Sequence, residues 1–454
     1  MDRKTAKNII INSLPNYLAQ KGIRIDKNFL CLNPEHCDHT PSMTYDRRRN
    51  RCHCFACGAD ADTLNLIQWD YGVDFAEAFH IGCDLFGLDI GQEEQKKPVK
   101  IKPAKQTQME KTEIKKAEPE VCDKVYRTMK ILMPLTEEDM VYLREKRCLT
   151  EDRIQKDYMR MVTEEKDRKI IVEKIQKLTG FSVDVLKYVP GFFVNKETGK
   201  LDFSGDGVPS VSHGTTVCNN RGIGILIHNA DGYAVGIQIR RDTANKGNRY
   251  CWFTSIFAVD NPKYDGGSSP GAEKDIIIPK NPKNCICITE GRFKSEILAK
   301  ERNTVISLQG VSSWRGIDEI ISQLQEKLSI RSIYLMFDSD MMGNRQVFQS
   351  VSSMAKMLMQ AFPDITIKTG VWQIKYGKGI DDCIIAGNMK QVKFLDINQF
   401  MDICENAFQT MLKTYKIESL KKMGNEDRKV FNKKLQAEIE RRIFIKPDEN
   451  TEAA

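Results

Sequence analysis

The 454 residues contain no apolar run approaching the roughly 20 needed to cross a bilayer. The Lys-containing start is followed only by Asn8 to Leu14, too short and too polar for a secretory core. These absences predict a cytosolic (cytoplasmic) chain with no membrane partner. There is also no internal repeat and no Walker A sequence, which sets aside solenoids and P-loop motors. Nor is charge of one sign in large excess: a net charge of +7 permits binding to a polyanion without demanding it.

What is present begins with 41% apolar residues, adequate for two or three folded domains. Fourteen cysteines would suggest disulfides in a small secreted domain. In a long cytosolic chain they are buried small hydrophobes or metal ligands, and spacing separates the two. Ile9, Ile10, Leu14, Tyr17 and Leu18 recur at helical spacing between Lys7 and Lys21, with Pro15 marking a kink or a new first turn. Cys31-Leu-Asn-Pro-Glu-His36 then leads to Cys52-His53-Cys54-Phe55-Ala56-Cys57-Gly58, in which Cys54-x-x-Cys57 makes a tight chelating knuckle. Tetrahedral Zn²⁺ takes four such ligands, and a site closed in this way is structural. Between the ligand clusters, Tyr45 to Arg51 is a hairpin-like segment carrying Arg47, Arg48, Arg49 and Arg51. It reads equally as a solvated basic turn or, beside Tyr45, His53 and Phe55, as a surface for single-stranded nucleic acid. Ala61 to Tyr71 and Asp74 to Phe86 read as helices closing this small domain.

From Gln92 to about Glu120 the chain is Lys, Glu, Gln and Pro with almost no large apolar residue. Such a segment cannot bury enough surface to offset its ordering entropy, so a flexible tether is expected. Structure resumes near Val121. Tyr142 to Thr150 and Asp152 to Tyr158 read as two helices, the second with Thr150 as N-cap. Ile170 to Leu178 and Val183 to Leu186 read as helices. Gly224 to His228, the turn Asn229 to Gly232, and Ala234 to Arg241 form a hairpin. Beyond it Lys246, Arg249, Tyr250 and Trp252 alternate basic and aromatic side chains, a pattern that a solvated strand face also explains. Phe394 to Lys413 and Ile417 to Ile443 look helical, and a bundle capping the core is the expected role.

The stretch from Cys285 to Ile384 is where chemistry is expected. Cys285 to Thr289, Thr304 to Leu308, Arg331 to Phe337 and Ile365 to Trp372 are β-prone. Between them lie helix-period runs from Phe293, Ser312 and Gly343, an alternation that predicts a parallel sheet. Ligands of such sheets sit beyond the carboxyl ends of the strands. Glu290, Asp338, Asp340 and one of Asp381 or Asp382 would converge there and repel one another. A hard divalent cation held through oxygen relieves that repulsion, and Mg²⁺ or Mn²⁺ suits a site of a few carboxylates, waters and a phosphate.

The Glu-Gly, Asp-x-Asp and trailing acidic loop resemble the TOPRIM domain shared by primases, topoisomerases and some nucleases. Thr289-Glu290-Gly291, Gly310 to Trp314, Asp338 to Asn344 and Lys378 to Asp382 resemble its phage and plasmid primase-like version. Thr40-Pro41-Ser42-Met43 and Cys52 to Gly58 resemble the zinc finger of DnaG-type bacterial DNA primases, with Cys and His farther apart here than in the cellular enzymes. The resemblance implies Cys31, His36, Cys54 and Cys57 as the zinc ligands. It also implies Arg240, Arg241, Lys246, Arg249 and Tyr250, with the hairpin arginines, as contacts to template and nascent strand. One departure stands out. Where cellular primases usually carry an Asp three residues after the Glu, this chain has Phe293 followed by Lys294, which is read as a phosphate contact among the catalytic residues.

The implied architecture is multidomain and mixed α/β: a zinc-ribbon DNA-binding domain over 1–91, the tether over 92–121 and a basic core subdomain over 122–275. A TOPRIM-like catalytic domain with a parallel sheet follows over 276–390, then a helical segment over 391–454. The implied activity is template-directed joining of ribonucleoside triphosphates into a short RNA primer on single-stranded DNA, for a plasmid, phage or integrative element. Glu290, Asp338 and Asp340 would hold Mg²⁺ or Mn²⁺, with Asp381 or Asp382 assisting. Strand opening would come from a replicative helicase in trans. A single-strand-binding or loading factor that kept the framework, and a TOPRIM nuclease, are the competing readings.

Overall fold

The computed structural model describes residues 3–21, 23–34, 36, 41–47, 49–71, 75–86, 88, 115–209, 220–245, 248–259, 261–271, 273–417 and 425–445. The expected tether lies largely outside these residues, as do Arg48 and Lys246. The chain divides into two compact units, 1–109 and 110–454.

In the first unit α1 (Arg3–Asn12) and α2 (Leu14–Gln20) are separate helices because Pro15 falls in the first turn of the second, where its missing N–H costs nothing. Strands β1 (Met43–Asp46), β2 (Arg51–Cys54) and β3 (Asp60–Ala61) form an antiparallel sheet, and α3 (Thr63–Tyr71) and α4 (Phe75–Leu85) follow. Ile10, Leu14, Leu18, Met43, Cys52, Leu66 and Phe79 make its core. Cys52 is thus a packing residue.

The second unit is in place by Lys115, whose ammonium lies 4.4 Å over the Tyr188 ring. Helices α5 (Pro119–Leu132), α6 (Glu137–Val141) and α7 (Glu151–Asp157) come first. Thr136 and Asp139 form a capping box at α6, and a wide π-type turn over Tyr142–Lys146 extends it. Next come β4 (Tyr158–Arg160), α8 (Glu165–Thr179), stopped by left-handed Gly180, and α9 (Val183–Leu186). Strands β5 (Phe192–Asn195) and β6 (Lys200–Phe203) pair with β10 (Tyr264–Asp265) in a small sheet. The hairpin is β7 (Gly222–His228) and β8 (Ala234–Asn245); with β4 and β9 (Asn248–Trp252) it forms the sheet β4-β7-β8-β9.

The remaining strands form a six-stranded sheet in the order β11-β13-β12-β14-β15-β16. They are β11 (Asp275–Ile277), β12 (Cys285–Glu290), β13 (Thr304–Leu308), β14 (Ser332–Leu335), β15 (Thr366–Val371) and β16 (Lys393–Asp396). The middle four run parallel, as the β-α alternation predicts, while β11 and β16 close both edges antiparallel. The segment from Phe394, read from sequence as helix, therefore begins as a strand, and the sheet takes in residues on both sides of 276–390. Connecting helices are α10 (Arg292–Lys300), α11 (Ile317–Lys327), α12 (Arg345–Ala361), α13 (Ile380–Ile385), α14 (Ile397–Thr414) and α15 (Asn425–Phe444). Residues of α11, α12, α14 and α15 pack with Ile286, Ile306, Ile333 and Ile367 on one face. Leu298 of α10 and Ile380 and Cys383 of α13 cover Cys287 and Val305 on the other. The chain leaves β12 for β13 on one side and returns to β14 on the other, so the order reverses beside β12 and opens a crevice at its carboxyl end.

Candidate metal centres and nucleic-acid surface

Four side chains from separate segments meet in the first unit. Cys31 follows the bridge between Phe29 and Met43, Cys54 ends β2, and Cys57 and His36 come from loops. Their ligand atoms all lie within 4.8 Å of one another. Cys31 Sγ is 3.7 Å from Cys57 Sγ, and Cys54 Sγ is 3.5 Å from His36 Nδ1. Bonds of about 2.3 Å at tetrahedral angles put two sulfurs roughly 3.8 Å apart, so the set fits Zn²⁺. Burial opposes the Cys54 thiolate, but the Ser42 hydroxyl and the N–H groups of Cys57 and Ala56 outweigh it and lower its pKa. Burial pushes Cys31 and Cys57 up, a cost that a cation between the sulfurs removes.

The hairpin arginines separate into two kinds. Arg51 gives Nε to Asp60 at 2.8 Å and Nη1 to Asp62 at 3.2 Å, so it braces β2 to the start of α3. Arg49, also paired with Asp60 at 2.8 Å, stays exposed, as does Arg47. Phe55 stands 66% exposed on the knuckle, edge-on to His53 at 5.0 Å.

At the crevice of the six-stranded sheet, Glu290 is the last residue of β12. The turn into α10 passes through Gly291 at φ +84°, a conformation that disfavours any side chain there. Asp338 and Asp340 lie on the loop after β14. Lys294, in the first turn of α10, places Nζ 2.5 Å from Asp338 Oδ1. Lys378 lies 3.0 Å from Asp340 Oδ2 and 3.9 Å from Asp338 Oδ2. Partial desolvation pushes the Glu290 carboxyl above the usual range; Lys294 opposes the shift and Asp338 adds to it. Asp381 is raised by burial and by Asp382, again with Lys294 opposing. Asp382 serves α13 itself, its Oδ2 accepting the Gly379 N–H at 3.1 Å.

Glu290, Asp338 and Asp340 thus converge on one edge with two ammonium groups among them. The zinc cluster is the only group of cysteine, histidine or acidic ligands closed to 4.8 Å among the described residues. The hard oxygen donors suit Mg²⁺ or Mn²⁺, and a cation there would displace Lys294 from Asp338 or share it.

Arg240 and Tyr250 are paired across β8 and β9. The Arg240 guanidinium lies 4.4 Å over the Tyr142 ring. Arg147 joins this stack, 4.5 Å from the Phe293 ring, and donates Nε to the Tyr142 hydroxyl at 2.6 Å. Sequence reading named its segment but not Arg147 as a contact. Phe293 sits next to Lys294, so the cationic-aromatic stack borders the acidic crevice. Arg241, one residue on, points to the opposite face, toward Cys251, and Arg249 is exposed.

A second feature escaped the sequence. Arg292, two residues after Glu290, is fully enclosed. It donates to Asp157 Oδ2 at 2.6 Å, Asp275 Oδ2 at 2.8 Å, Glu296 Oε1 at 2.7 Å and the Leu226 carbonyl at 2.8 Å. Arg153 adds Nε to Glu296 Oε2 at 2.8 Å. Burial alone would raise Asp157 and Asp275, but the Arg292 guanidinium overrides it and holds both below the ordinary carboxylate range.

Residues 5–98 match the CHC2 zinc finger family, and residues 276–391 match a domain of unknown function (DUF3854). The DNA primase of Lactococcus lactis subsp. lactis is 21% identical over 404 residues, 87% of this chain and 56% of that one. The DNA primase of Chlamydia pneumoniae is 23% identical over 349 residues, 74% of this chain and 50% of that one. The chain spans about half the length of these curated relatives. Among solved structures, the zinc-binding and RNA polymerase domains of the Aquifex aeolicus primase align over 97% of each chain at 14% identity, with a TM-score of 0.39. The ligand cluster lies within the residues that match the CHC2 zinc finger family and fits a structural zinc, and the core that follows is mixed α/β. Over most of its length the chain is similar to bacterial DNA primases. No helix among the described residues is long and apolar enough to cross a membrane.

Proposed function

We propose that the chain is a DNA primase that joins ribonucleoside triphosphates on a single-stranded DNA template in the cytoplasm. The carrying observation is the convergence of Glu290, Asp338 and Asp340 on the switch-point crevice of the TOPRIM-like sheet, beside the Arg147–Tyr142–Arg240 stack. The primases among its relatives support the same reading.

A 3′-hydroxyl attacks the α-phosphate of the incoming nucleotide and pyrophosphate leaves. Mg²⁺ or Mn²⁺, held by Glu290, Asp338 and Asp340, would neutralise charge on the phosphates. Lys294 and Lys378 neutralise the repulsion between those carboxylates, and with a cation held there they would be free to pair with phosphate oxygens. Asp381 faces Lys294 and fixes its reach, whereas Asp382 keeps α13 in position. Arg240, with Arg147 and Tyr250, stacks on bases or pairs with phosphates; Arg249 on β9 adds a second cation, Arg241 offers one on the opposite face of β8, and Lys246 remains a contact by resemblance alone. Arg47 and Arg49 and the exposed Phe55 give the zinc-finger unit its own single-strand surface. We place the enzyme in a plasmid, phage or integrative element, on the likeness of Gly310 to Trp314 and Lys378 to Asp382 to that branch, with strand opening by a separate helicase.

The Lys294–Asp338 pair favours one alternative, a primase-derived single-strand-binding factor that no longer polymerises. The test is incorporation of labelled ribonucleotides on single-stranded templates with Mg²⁺ or Mn²⁺. Short RNA products that fall at least about a hundredfold in Asp338→Ala are expected. Intact DNA binding with no product in either protein would establish the binding factor, and template cleavage lost in Asp338→Ala would establish a nuclease.

A further inference from the structure

Helix α15 runs against the loop that carries Asp338 and Asp340, and the Gln436 amide bridges that loop. Gln436 Oε1 accepts the Gly343 N–H at 2.7 Å, while its Nε2 donates to the Ser339 carbonyl at 2.9 Å and to Glu440 Oε1 at 2.8 Å. Turning the amide over would set donor against donor and acceptor against acceptor, so one orientation satisfies the loop. The approach is close. A Cβ on Gly343 would lie 2.6 Å from the Asn432 carbonyl oxygen and 2.7 Å from Gln436 Cβ, so only glycine admits the helix. From the other side, the Ser339 N–H donates to the Lys378 carbonyl at 2.9 Å and its hydroxyl to the Gly377 carbonyl at 3.3 Å.

Ser339 is the residue between the two acids, and it is buried. Its backbone is therefore pinned between the Gly377–Lys378 segment and Gln436, and the directions of Asp338 and Asp340 follow from that. A helix that only covered apolar surface would need no polar side chain bridging both ends of this loop.

We propose that Gln436 is a positioning residue for the divalent-cation site: it sets the spacing of Asp338 and Asp340 from a helix 97 residues away in sequence. The inference rests on the reading that these carboxylates hold the cation. It gives α15 a role in the chemistry beyond covering the sheet.

The experiment measures Mn²⁺ binding to the full chain, from the spectrum of free Mn²⁺ without nucleotide, in wild type, Gln436→Met, Gln436→Glu and Asp338→Ala. Gln436→Met keeps the length and removes all three hydrogen bonds of the amide; a loss of Mn²⁺ affinity of about tenfold or more is expected. Gln436→Glu keeps the acceptor for Gly343, so its loss should be smaller. In the incorporation assay the Met variant should recover toward wild-type turnover as Mn²⁺ is raised. Should Gln436→Met melt earlier but bind Mn²⁺ as wild type does, α15 is only a cover and the proposal is overturned. If Gln436→Met does not fold, Gln436→Glu decides by the same affinity measurement. Wild type and Asp338→Ala binding Mn²⁺ equally would instead bring down the underlying cation-site reading, an outcome that the Gln436 variants do not produce.

Discussion

The guanidinium of Arg292 meets three carboxylates and one carbonyl in a space closed to water, and Arg153 supplies the second positive charge. Removing one partner from such a group leaves the others charged and unpaired. Arg292→Met should therefore destabilise the second unit by about 3–5 kcal/mol, measured by urea unfolding at neutral pH. Acid distinguishes this from lost packing. With Asp157 and Asp275 held below their unfolded value of about 3.9, their contribution is complete above about pH 4 and is lost as pH falls through the folded values. In Arg292→Met, burial prevails and both carboxyls rise, so the deficit against wild type should narrow on acidification. None of this was legible in the sequence. Asp157 and Leu226 lie 135 and 66 residues from Arg292, and no periodicity links them. Glu290 and Asp338 were legible because they end or follow apolar runs whose strands share one direction. Which of Asp381 and Asp382 caps the helix was not, since both lie in its first turn.

Among the elements, the zinc knuckle rests on very little sheet: β3 has two residues and β2 four. The metal must supply folding energy directly. Cys57→Ser, or chelation of the wild-type protein, should remove the zinc measured by atomic emission and abolish the melting transition of the first unit while leaving that of the second unchanged. The break between α1 and α2 was readable from Pro15, and the knuckle from Cys54-x-x-Cys57, because each is a local constraint on the backbone. β16 was misread for a physical reason: Phe394, Leu395 and Ile397 also suit a helix, and the strand is decided by pairing with β15. The available signal was Asp396, whose Oδ1 accepts the N–H groups of Asn398 and Gln399 and so marks where the helix begins.

For the whole molecule, the β-α alternation disclosed the parallel centre of the large sheet and the mixed α/β class, since a buried parallel strand needs a continuous apolar run. It did not disclose what completes that sheet. Residues 276–391 lack β16, α14 and α15, whose Phe400, Phe408, Met411 and Phe431 share one core with Ile286 and Ile333. They also lack Asp157 and Asp275. Expressed alone, 276–391 should aggregate or melt without a cooperative transition by circular dichroism, whereas 115–445 should melt as one unit. The stretch that looks most like a portable cassette is therefore not one: recombination carrying only those residues into a new host protein would deliver a buried arginine without its acids and a sheet bare on one side.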